Sequence, residues 1–472
     1  MSLEKKIAHN TIIQTFGKFI SITLGVIALG MMTRYLGPEK YGQYTIVVAF
    51  LQFFAILSDM GLQLITVRMI SEPNADEEKI LNNILTLRIF ISIVVLALAP
   101  LVVVFFPYPL IVKIAVSVFI VSFFLTSLIQ VLTGLFQKKL QIIKVTIGEV
   151  VGRIFLILSI YIAIYFNLGL LGIMSAGIIA NLINFGYLLK ATQKLLKIKL
   201  AFDFDIWKQT LQKSWPIAVS IAFNLIYLKT DTIILSLYHP QIDVGIYGAS
   251  FRFLEILIMI PTMFMGLMLP LLSNYWAERN IKEFKKMLQM AFNVIIMMVV
   301  PMVVGTLFLA EPIMILVAGK DFAMAAPVLK IIVLASAIVF IGTLYGHTIV
   351  AIEKQRKMIW AYGITAAISL SAYFLVIPKF SYFGAAWATV FAESLITIAT
   401  FWMVTKTTKI WPKSKMVFKA LFASSIMAIV LYFIKDQNIF ISLILAVTAY
   451  FGSLYLIKGF SKDFIQEIIK IK

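Results

Sequence analysis

The chain has 472 residues, of which 61% are hydrophobic and only 13% are charged, and its mean hydropathy is +0.98. Soluble domains carry about 45–50% apolar and about 25% charged residues, so this composition excludes a soluble globular protein. The net charge of +19 would favour nucleic-acid binding in a soluble protein, but in a membrane protein basic loops set the orientation of the helices. We therefore expect membrane lipids as partners and no nucleic acid.

Apolar runs long enough to cross a bilayer as helices recur from one end of the chain to the other. The alternating pattern of barrel strands is not found in the sequence. We predict an all-α, polytopic membrane protein with about 14 transmembrane helices. The predicted spans are 11–33, 43–66, 83–106, 110–135, 145–166, 168–189, 215–238, 246–272, 288–310, 327–351, 358–378, 382–405, 416–434 and 438–457.

The residue types that most enzymes and metal sites require are scarce in this sequence. It has no cysteine, and its three histidines, His9, His239 and His347, lie far apart, so we expect no metal site. It also contains no P-loop, no G-x-S-x-G and no dinucleotide-binding G-x-G-x-x-G motif. The sequence thus favours a transporter over an enzyme and predicts no cofactor, with Na⁺ or H⁺ as the candidate coupling ion.

The distribution of basic residues between the loops predicts the topology. With a cytoplasmic N-terminus, about 29 Lys and Arg residues fall on the inside and about 5 on the outside, which is the bias of a multi-pass plasma-membrane protein with both termini in the cytoplasm. The longest inside loop, from Lys190 to Lys213, combines lysines with aromatic residues. This composition suits a segment that lies on an anionic leaflet.

Two weak internal echoes divide the chain. YLGPEKYGQY at 35–44 is similar to YHPQIDVGIY at 238–247, and LLGIMSAG at 170–177 is similar to YFGAAWAT at 382–389. Echoes that lie about six helices apart on the same side of the membrane are typical of parallel repeats that hold a substrate between two lobes. We predict two pseudo-symmetric six-helix lobes, residues 1–200 and 201–410, and an additional C-terminal helix pair, residues 411–472.

Charged residues inside the predicted spans are the candidate site residues, because a charge at the centre of a membrane helix costs at least about 2.5–3.5 kcal/mol. The candidate substrate-binding cations are Lys18, Arg88, Arg153, Lys229 and Arg252. The candidate coupling groups or charge partners are Asp59, Glu149, Asp231, Glu255 and Glu393.

Position within the spans separates these candidates. Lys18, Lys229 and Arg252 lie deep in their helices and are expected to line a central cavity whose positive charge suits an anion. Glu255 follows Arg252 by three residues and can hold its guanidinium group. Arg88 could either reach the cytoplasmic interface or contact substrate. Glu149 precedes Arg153 by one turn, so those two side chains could form a structural pair or belong to the site.

Five segments resemble one family of membrane transporters. They are RYLGPEKYGQY (34–44), SDMGL (58–62), YLKTDTIILSLYHPQIDVGIYGASFRFLE (227–255), LVAGKDFAMAAPVLK (316–330) and YFGAAWATVFAE (382–393). These segments are similar to the polysaccharide biosynthesis family of O-antigen and oligosaccharide repeat-unit flippases. That family is part of the multidrug/oligosaccharidyl-lipid/polysaccharide (MOP) exporter superfamily, which also holds the multidrug-and-toxin extruders and the lipid II flippases.

The resemblance implies alternating-access transfer of a polyprenyl-phosphate or -pyrophosphate oligosaccharide to the outer leaflet. It also implies that Arg252 and Lys18 match positions where such flippases carry cavity cations, and that glycosyltransferases or a polymerase of a polysaccharide pathway are candidate partners. One alternative is an ion-coupled extruder of cationic compounds, which should hold excess acidic charge in its cavity. Another is a membrane glycosyltransferase, which the short outside loops argue against.

Overall fold

The computed structural model describes residues 3–73, 75–434 and 437–459, without the side chains of residues 3–15, 216, 217, 220 and 224–228. Within this part of the chain every regular element is a helix, and a short 3₁₀ helix at Lys320–Ala325 precedes α10. The α-helices are α1 Leu3–Asp59, α2 Leu62–Ile70, α3 Glu77–Val103, α4 Leu110–Lys138, α5 Ile142–Tyr165, α6 Gly169–Gln193, α7 Phe204–Tyr238, α8 Gln241–Ala277, α9 Ile281–Ala318, α10 Ala326–Ala351, α11 Gln355–Thr408, α12 Lys415–Phe433 and α13 Ile439–Leu456.

The all-helical membrane fold is confirmed. Among the described residues, 11 helical segments are long and apolar enough to cross a membrane. The helices α1 and α11 each cover two predicted spans. A single residue with non-helical φ and ψ separates the two spans, Gly37 in α1 (φ 67°) and Ser381 in α11 (φ 49°). The predicted number of about 14 spans is not confirmed by the segment count and stays a prediction.

One predicted span differs from the structure. The span 43–66 was expected to be continuous, but α1 ends at Asp59 and α2 begins at Leu62. Met60 and Gly61 between them have φ of 48° and 72°, in the left-handed region. A break inside an apolar membrane segment leaves helix-end carbonyl groups that the protein must satisfy itself, because hydrocarbon offers no hydrogen bonds.

The chain forms two compact units, residues 1–245 and 246–472. In the first unit, α5 packs against α6 and α1, α4 packs against α3 and α6, and α7 packs against α1, α2 and α3. In the second unit, α10 packs against α9 and α11, and α12 packs against α9 and α13. The repeat division predicted from the sequence, with boundaries after residues 200 and 410, stays a prediction.

Two glycines on α5 allow its close approach to α6. A side chain on Gly148 would meet the side-chain amide oxygen of Asn184 at 2.6 Å, and one on Gly152 would meet the carbonyl oxygen of Ala180 at 3.0 Å. This Gly-x-x-x-Gly spacing places both residues on one helix face, where small residues let membrane helices pack by van der Waals contact. The α5–α6 pair therefore depends on the absence of side chains at these positions.

Replacing Gly152 by leucine should lower the melting temperature of the detergent-purified protein, because the new side chain collides with the backbone of α6. Gly186 on α6 has open space around it and provides the matched control. We expect Gly152→Leu to destabilise the protein by about 1–3 kcal/mol, the usual cost of overpacking, while Gly186→Leu leaves it unchanged or more stable. Equal melting temperatures for the two variants would contradict this account of the interface.

Candidate substrate and coupling site

Lys18 and Glu149 form an ion pair between α1 and α5. The Lys18 ammonium lies 2.9 Å from one carboxylate oxygen of Glu149 and 3.2 Å from the other, and the Ser21 hydroxyl donates to the same carboxylate at 2.8 Å. The side chains of Lys18 and Glu149 are 34% and 29% exposed. Sequence reasoning named both residues but did not predict their pairing, and it left open whether Glu149 and Arg153 form a structural pair or belong to the site.

Arg153 belongs to the same cluster. It lies one turn beyond Glu149 on α5, its charge acts on the Glu149 carboxylate, and one of its terminal nitrogens comes within 4.0 Å of where a side chain on Gly25 of α1 would begin. Two cations, Lys18 and Arg153, therefore lie beside one carboxylate between α1 and α5. Half-exposed cations of this kind can bind an anion without first leaving a buried position.

Arg88 satisfies the break between α1 and α2. Its side chain is 1% exposed, one terminal nitrogen donates to the Ser58 carbonyl at 2.7 Å, and the same nitrogen lies 3.0 Å from the Asp59 carboxylate. Arg88 thus supplies a donor to a carbonyl at the end of α1 and a counter-charge to the last residue of that helix. In this conformation the guanidinium group does not extend to the membrane interface and is closed to a substrate.

A chain of polar side chains continues from this point. The other terminal nitrogen of Arg88 donates to the side-chain oxygen of Gln130 at 2.7 Å. The buried hydroxyls of Ser58, Ser92 and Ser127 follow each other at 2.8 and 3.0 Å. This network links α1, α3 and α4, and it shows that the Arg88–Asp59 pair is built into the packing of the first unit.

The two charged candidates on α7 differ in exposure. Lys229 is half-buried, whereas Asp231 is fully buried and accepts hydrogen bonds from the backbone N–H and the hydroxyl of Thr232 at 2.5 and 3.2 Å. Side chains two residues apart on a helix point to different sides. The side chains of Lys229 and Asp231 therefore lie in different environments.

In the second unit, the expected pair of Arg252 and Glu255 is present on α8, with a nitrogen–oxygen distance of 2.5 Å. The Arg252 side chain is 45% exposed and that of Glu255 is 27% exposed, so this guanidinium group is oriented by a carboxylate and still open. Glu393 on α11 is 6% exposed. The structure brings Arg252 and Glu255 into contact as a pair, and the roles of all three residues in transport stay predictions.

A cavity of about 580 Å³ lies within the second unit between α8, α9, α10, α12 and α13. Its walls include Phe253 and Leu257 of α8 and Pro301 of α9, with several methionines. The hydroxyl of Tyr450, one of two polar side chains in the lining, donates to the Met297 carbonyl at 3.0 Å, so its ring faces the space as an apolar surface. This volume is in the range of small-ligand sites, and its lining suits hydrocarbon.

Sequence reasoning missed the neutral partners of the charged groups. Ser21, Ser58 and Gln130 each bind one of the named charges, but serine and glutamine within an apolar run carry no signal of their own. The cavity was also missed, because its walls come from five helices that the sequence separates by up to about two hundred residues.

Comparison with known proteins adds a family to this geometry. The sequence profile of the family described as "Polysaccharide biosynthesis protein" matches residues 31–327. The chain belongs to this family. The match covers more than half of the sequence and includes the Arg252–Glu255 pair of α8, which confirms the resemblance to this family. The first three of the five segments lie within the matched residues, the fourth extends beyond residue 327, and the fifth, 382–393, lies outside the match.

Two curated relatives from archaea are similar to this polysaccharide biosynthesis protein. An uncharacterized membrane protein of Methanocaldococcus jannaschii is 21% identical over 511 aligned positions that span 100% of both chains. The probable low-salt glycan biosynthesis flippase Agl15 of Haloferax volcanii is 22% identical over 180 residues, or 38% of each chain.

Solved structures share the fold at low sequence identity. The lipid II flippase MurJ in an inward closed conformation superimposes with a TM-score of 0.79 at 15% identity, covering 95% of this chain and 99% of MurJ. A multidrug resistance MATE family transporter of the MOP superfamily, inward-facing, superimposes with a TM-score of 0.69 at 14% identity, covering 84% of this chain and 98% of the other. The chain thus shares its fold with the lipid II flippase MurJ and with a transporter of the MOP superfamily.

The difference in burial between Arg88 and Lys18 predicts different costs of removing them. Arg88→Met removes the partner of the partly buried Asp59 carboxylate and of a helix-end carbonyl, so we expect a loss of about 3 kcal/mol in stability. Lys18→Met removes a half-exposed pair that water can replace, and we expect about 0–1 kcal/mol. Thermal unfolding of the two variants in detergent measures both losses, and similar melting temperatures would rule out the assigned role of Arg88.

Proposed function

We propose that this protein moves a polyprenyl-phosphate or -pyrophosphate oligosaccharide from the cytoplasmic to the outer leaflet by alternating access. The observation that carries the proposal is the pairing, on α8, of an open arginine with the wall of an apolar cavity. Arg252 and Phe253 are neighbours in sequence and so lie on different sides of the same turn. A phosphate-bearing headgroup and a long hydrocarbon tail need these two environments at one depth.

The charges of the two units support an anionic substrate. Arg252 presents a planar fork that matches phosphate oxygens, with Glu255 holding it from one side. In the first unit, Lys18 and Arg153 place two cations beside the Glu149 carboxylate. Each cation is at least partly exposed, which lets it exchange its carboxylate for a phosphate oxygen at low cost. Lys229 is the further candidate ligand on α7.

The apolar cavity supports a prenyl tail. Its methionines are flexible and polarisable, so the walls can adapt to a chain that has no fixed shape. Pro301 lines the cavity within α9, where a proline weakens the helix hydrogen bonds and allows bending. The sugar itself must then pass through the polar part of the protein.

Coupling and orientation belong to the same proposal. Ion-driven transport needs a carboxylate that can take up H⁺ or bind Na⁺, and the candidates are Asp59, Glu149, Asp231, Glu255 and Glu393. Of these, Asp231 and Glu393 are buried, at 0% and 6% exposure. The excess of basic residues in alternate loops supports cytoplasmic positions for both termini. Glycosyltransferases or a polymerase of a polysaccharide pathway would supply or consume the substrate.

Reconstituted liposomes test the function. A fluorescent polyprenyl-pyrophosphate oligosaccharide in the membrane is followed by its exposure to a quencher outside, with and without a Na⁺ or pH gradient. We expect Arg252→Ala and Lys18→Ala to slow translocation roughly tenfold or more, since each removes a charge-assisted contact worth about 1.5–3 kcal/mol. Lys320→Ala removes an exposed charge outside these clusters and should leave the rate unchanged.

The same liposomes distinguish a flippase from an extruder of cationic compounds. The extruder is the second candidate because the fold is MATE-like and because acidic and basic residues are nearly balanced in the spans. Export of a cationic dye against an ion gradient, with no movement of the lipid-linked oligosaccharide, would replace the flippase by the extruder. Translocation that is unaffected by both substitutions would refute the cationic site while leaving the activity.

A further inference from the structure

The connection between α6 and α7, residues 194–203, is fixed along one face of α3. Alternate backbone N–H groups of the connection donate to polar side chains of α3. These bonds are Lys197 to Glu78 (3.2 Å), Lys199 to Asn82 (3.2 Å), Ala201 to Thr86 (3.0 Å) and Asp203 to Asn83 (2.7 Å). The Asn82 amide also donates to the Lys197 carbonyl at 2.8 Å. The segment is therefore held as an extended strap, defined here as residues 194–203.

The inner side of the strap is anchored by packing. Leu195, Leu196 and Ile198 pack against the buried core of the first unit, which α2, α3, α4 and α6 form. Polar side chains at 78, 82 and 86 of α3 recur every four residues and so lie on one helix face. The strap is thus bound on one side by hydrogen bonds and apolar packing, and its other side faces outward.

The outer side of the strap carries large apolar residues. Leu200, Phe202 and Phe204 are 66%, 64% and 71% exposed, although burial of each would stabilise the protein. Trp207 follows on α7, with its ring 6.0 Å from that of Phe202 and 5.4 Å from that of Phe204. Aromatic clusters of this kind are typical of the boundary between headgroups and hydrocarbon.

The lysines around the strap fall into two groups. Four bind carboxylates within the first unit: Lys79 to Asp203, Lys138 and Lys139 to Glu77, and Lys213 to Glu72. The hydrogen bond and charge of Lys79 hold the pKa of Asp203 below its usual range.

The second group consists of exposed lysines that have no carboxylate within salt-bridge distance among the residues the structure describes. They are Lys190, Lys194, Lys197, Lys199 and Lys208. The strap region therefore combines uncompensated positive charge with exposed aromatic rings.

We propose that residues 190–208 bind the headgroups of anionic phospholipids. The five exposed lysines attract phosphate-bearing headgroups, and each basic residue near a charged leaflet adds about 1 kcal/mol to such attraction. Leu200, Phe202 and Phe204 enter the hydrocarbon below those headgroups. A nucleic acid or an acidic protein would satisfy the lysines but leave these apolar side chains in water. The strap thus recognises lipid by charge and hydrocarbon together.

Site-directed fluorescence tests this binding, because the protein has no cysteine of its own. A thiol-reactive fluorophore on Leu200→Cys is placed in phosphatidylcholine nanodiscs that contain a fixed fraction of brominated lipid. The brominated lipid is either phosphatidylglycerol or phosphatidylcholine. We expect the phosphatidylglycerol to quench at least about twofold more strongly, because the lysines enrich it beside the strap.

Variants with lysines replaced by glutamine show whether the lysines of the strap cause the stronger quenching by phosphatidylglycerol. K194Q/K197Q/K199Q should reduce the excess quenching to near zero. K282Q/K285Q/K357Q removes three exposed lysines in the second unit and should retain it. Equal quenching by the two brominated lipids in the labelled Leu200→Cys protein without lysine substitutions, or equal loss in both triple variants, would overturn the proposal. Neither readout depends on translocation, so failure here leaves the flippase proposal standing.

Discussion

The bilayer core contains no water, and the structure depends on this constraint. The Arg88–Asp59 pair satisfies it at the break between α1 and α2. A helix that breaks inside hydrocarbon exposes carbonyl groups with no solvent to bind them. Arg88 supplies two of its nitrogens to this break and to Gln130, and the hydroxyls of neighbouring serines extend the network. Of the two left-handed residues beside this network, Gly61 adopts its φ of 72° freely, whereas Met60, with φ of 48°, must be held there by surrounding contacts.

Charges of the same type serve different purposes according to their exposure. Arg88 is 1% exposed and its donors reach fixed partners of the first unit, whereas the Lys18 and Arg252 side chains are 34% and 45% exposed. Opening a buried ion pair costs more free energy than opening a half-exposed one, because each separated charge then stays out of water without its partner. Exchange of partners is therefore feasible at Lys18 and Arg252, which is what transient binding of an anion requires.

The sequence predicts local features well and distant pairings poorly. Apolar runs gave the helices, and the spacing of three residues gave the Arg252–Glu255 pair, because both follow from helix geometry alone. The Lys18–Glu149 pair joins residues 131 positions apart, and it depends on how α1 packs against α5. Helix spacing alone offered only Arg153, on the same helix, as a structural partner of Glu149. The break between Asp59 and Leu62 falls in the SDMGL segment of the predicted span 43–66, and the apolar pattern did not separate the two helices.

A flippase must hold two chemically opposite parts of one molecule, and α8 provides for both without placing them in conflict. Phe253 and Leu257 are one turn apart and face the apolar cavity, while Arg252 and Glu255 occupy other sides of the same turns. In the proposed mechanism, the methionines would hold the tail and the arginine the headgroup, each weakly and through many small contacts. Weak binding at both ends is what release into the second leaflet demands, because a site that stabilised the substrate strongly would trap it.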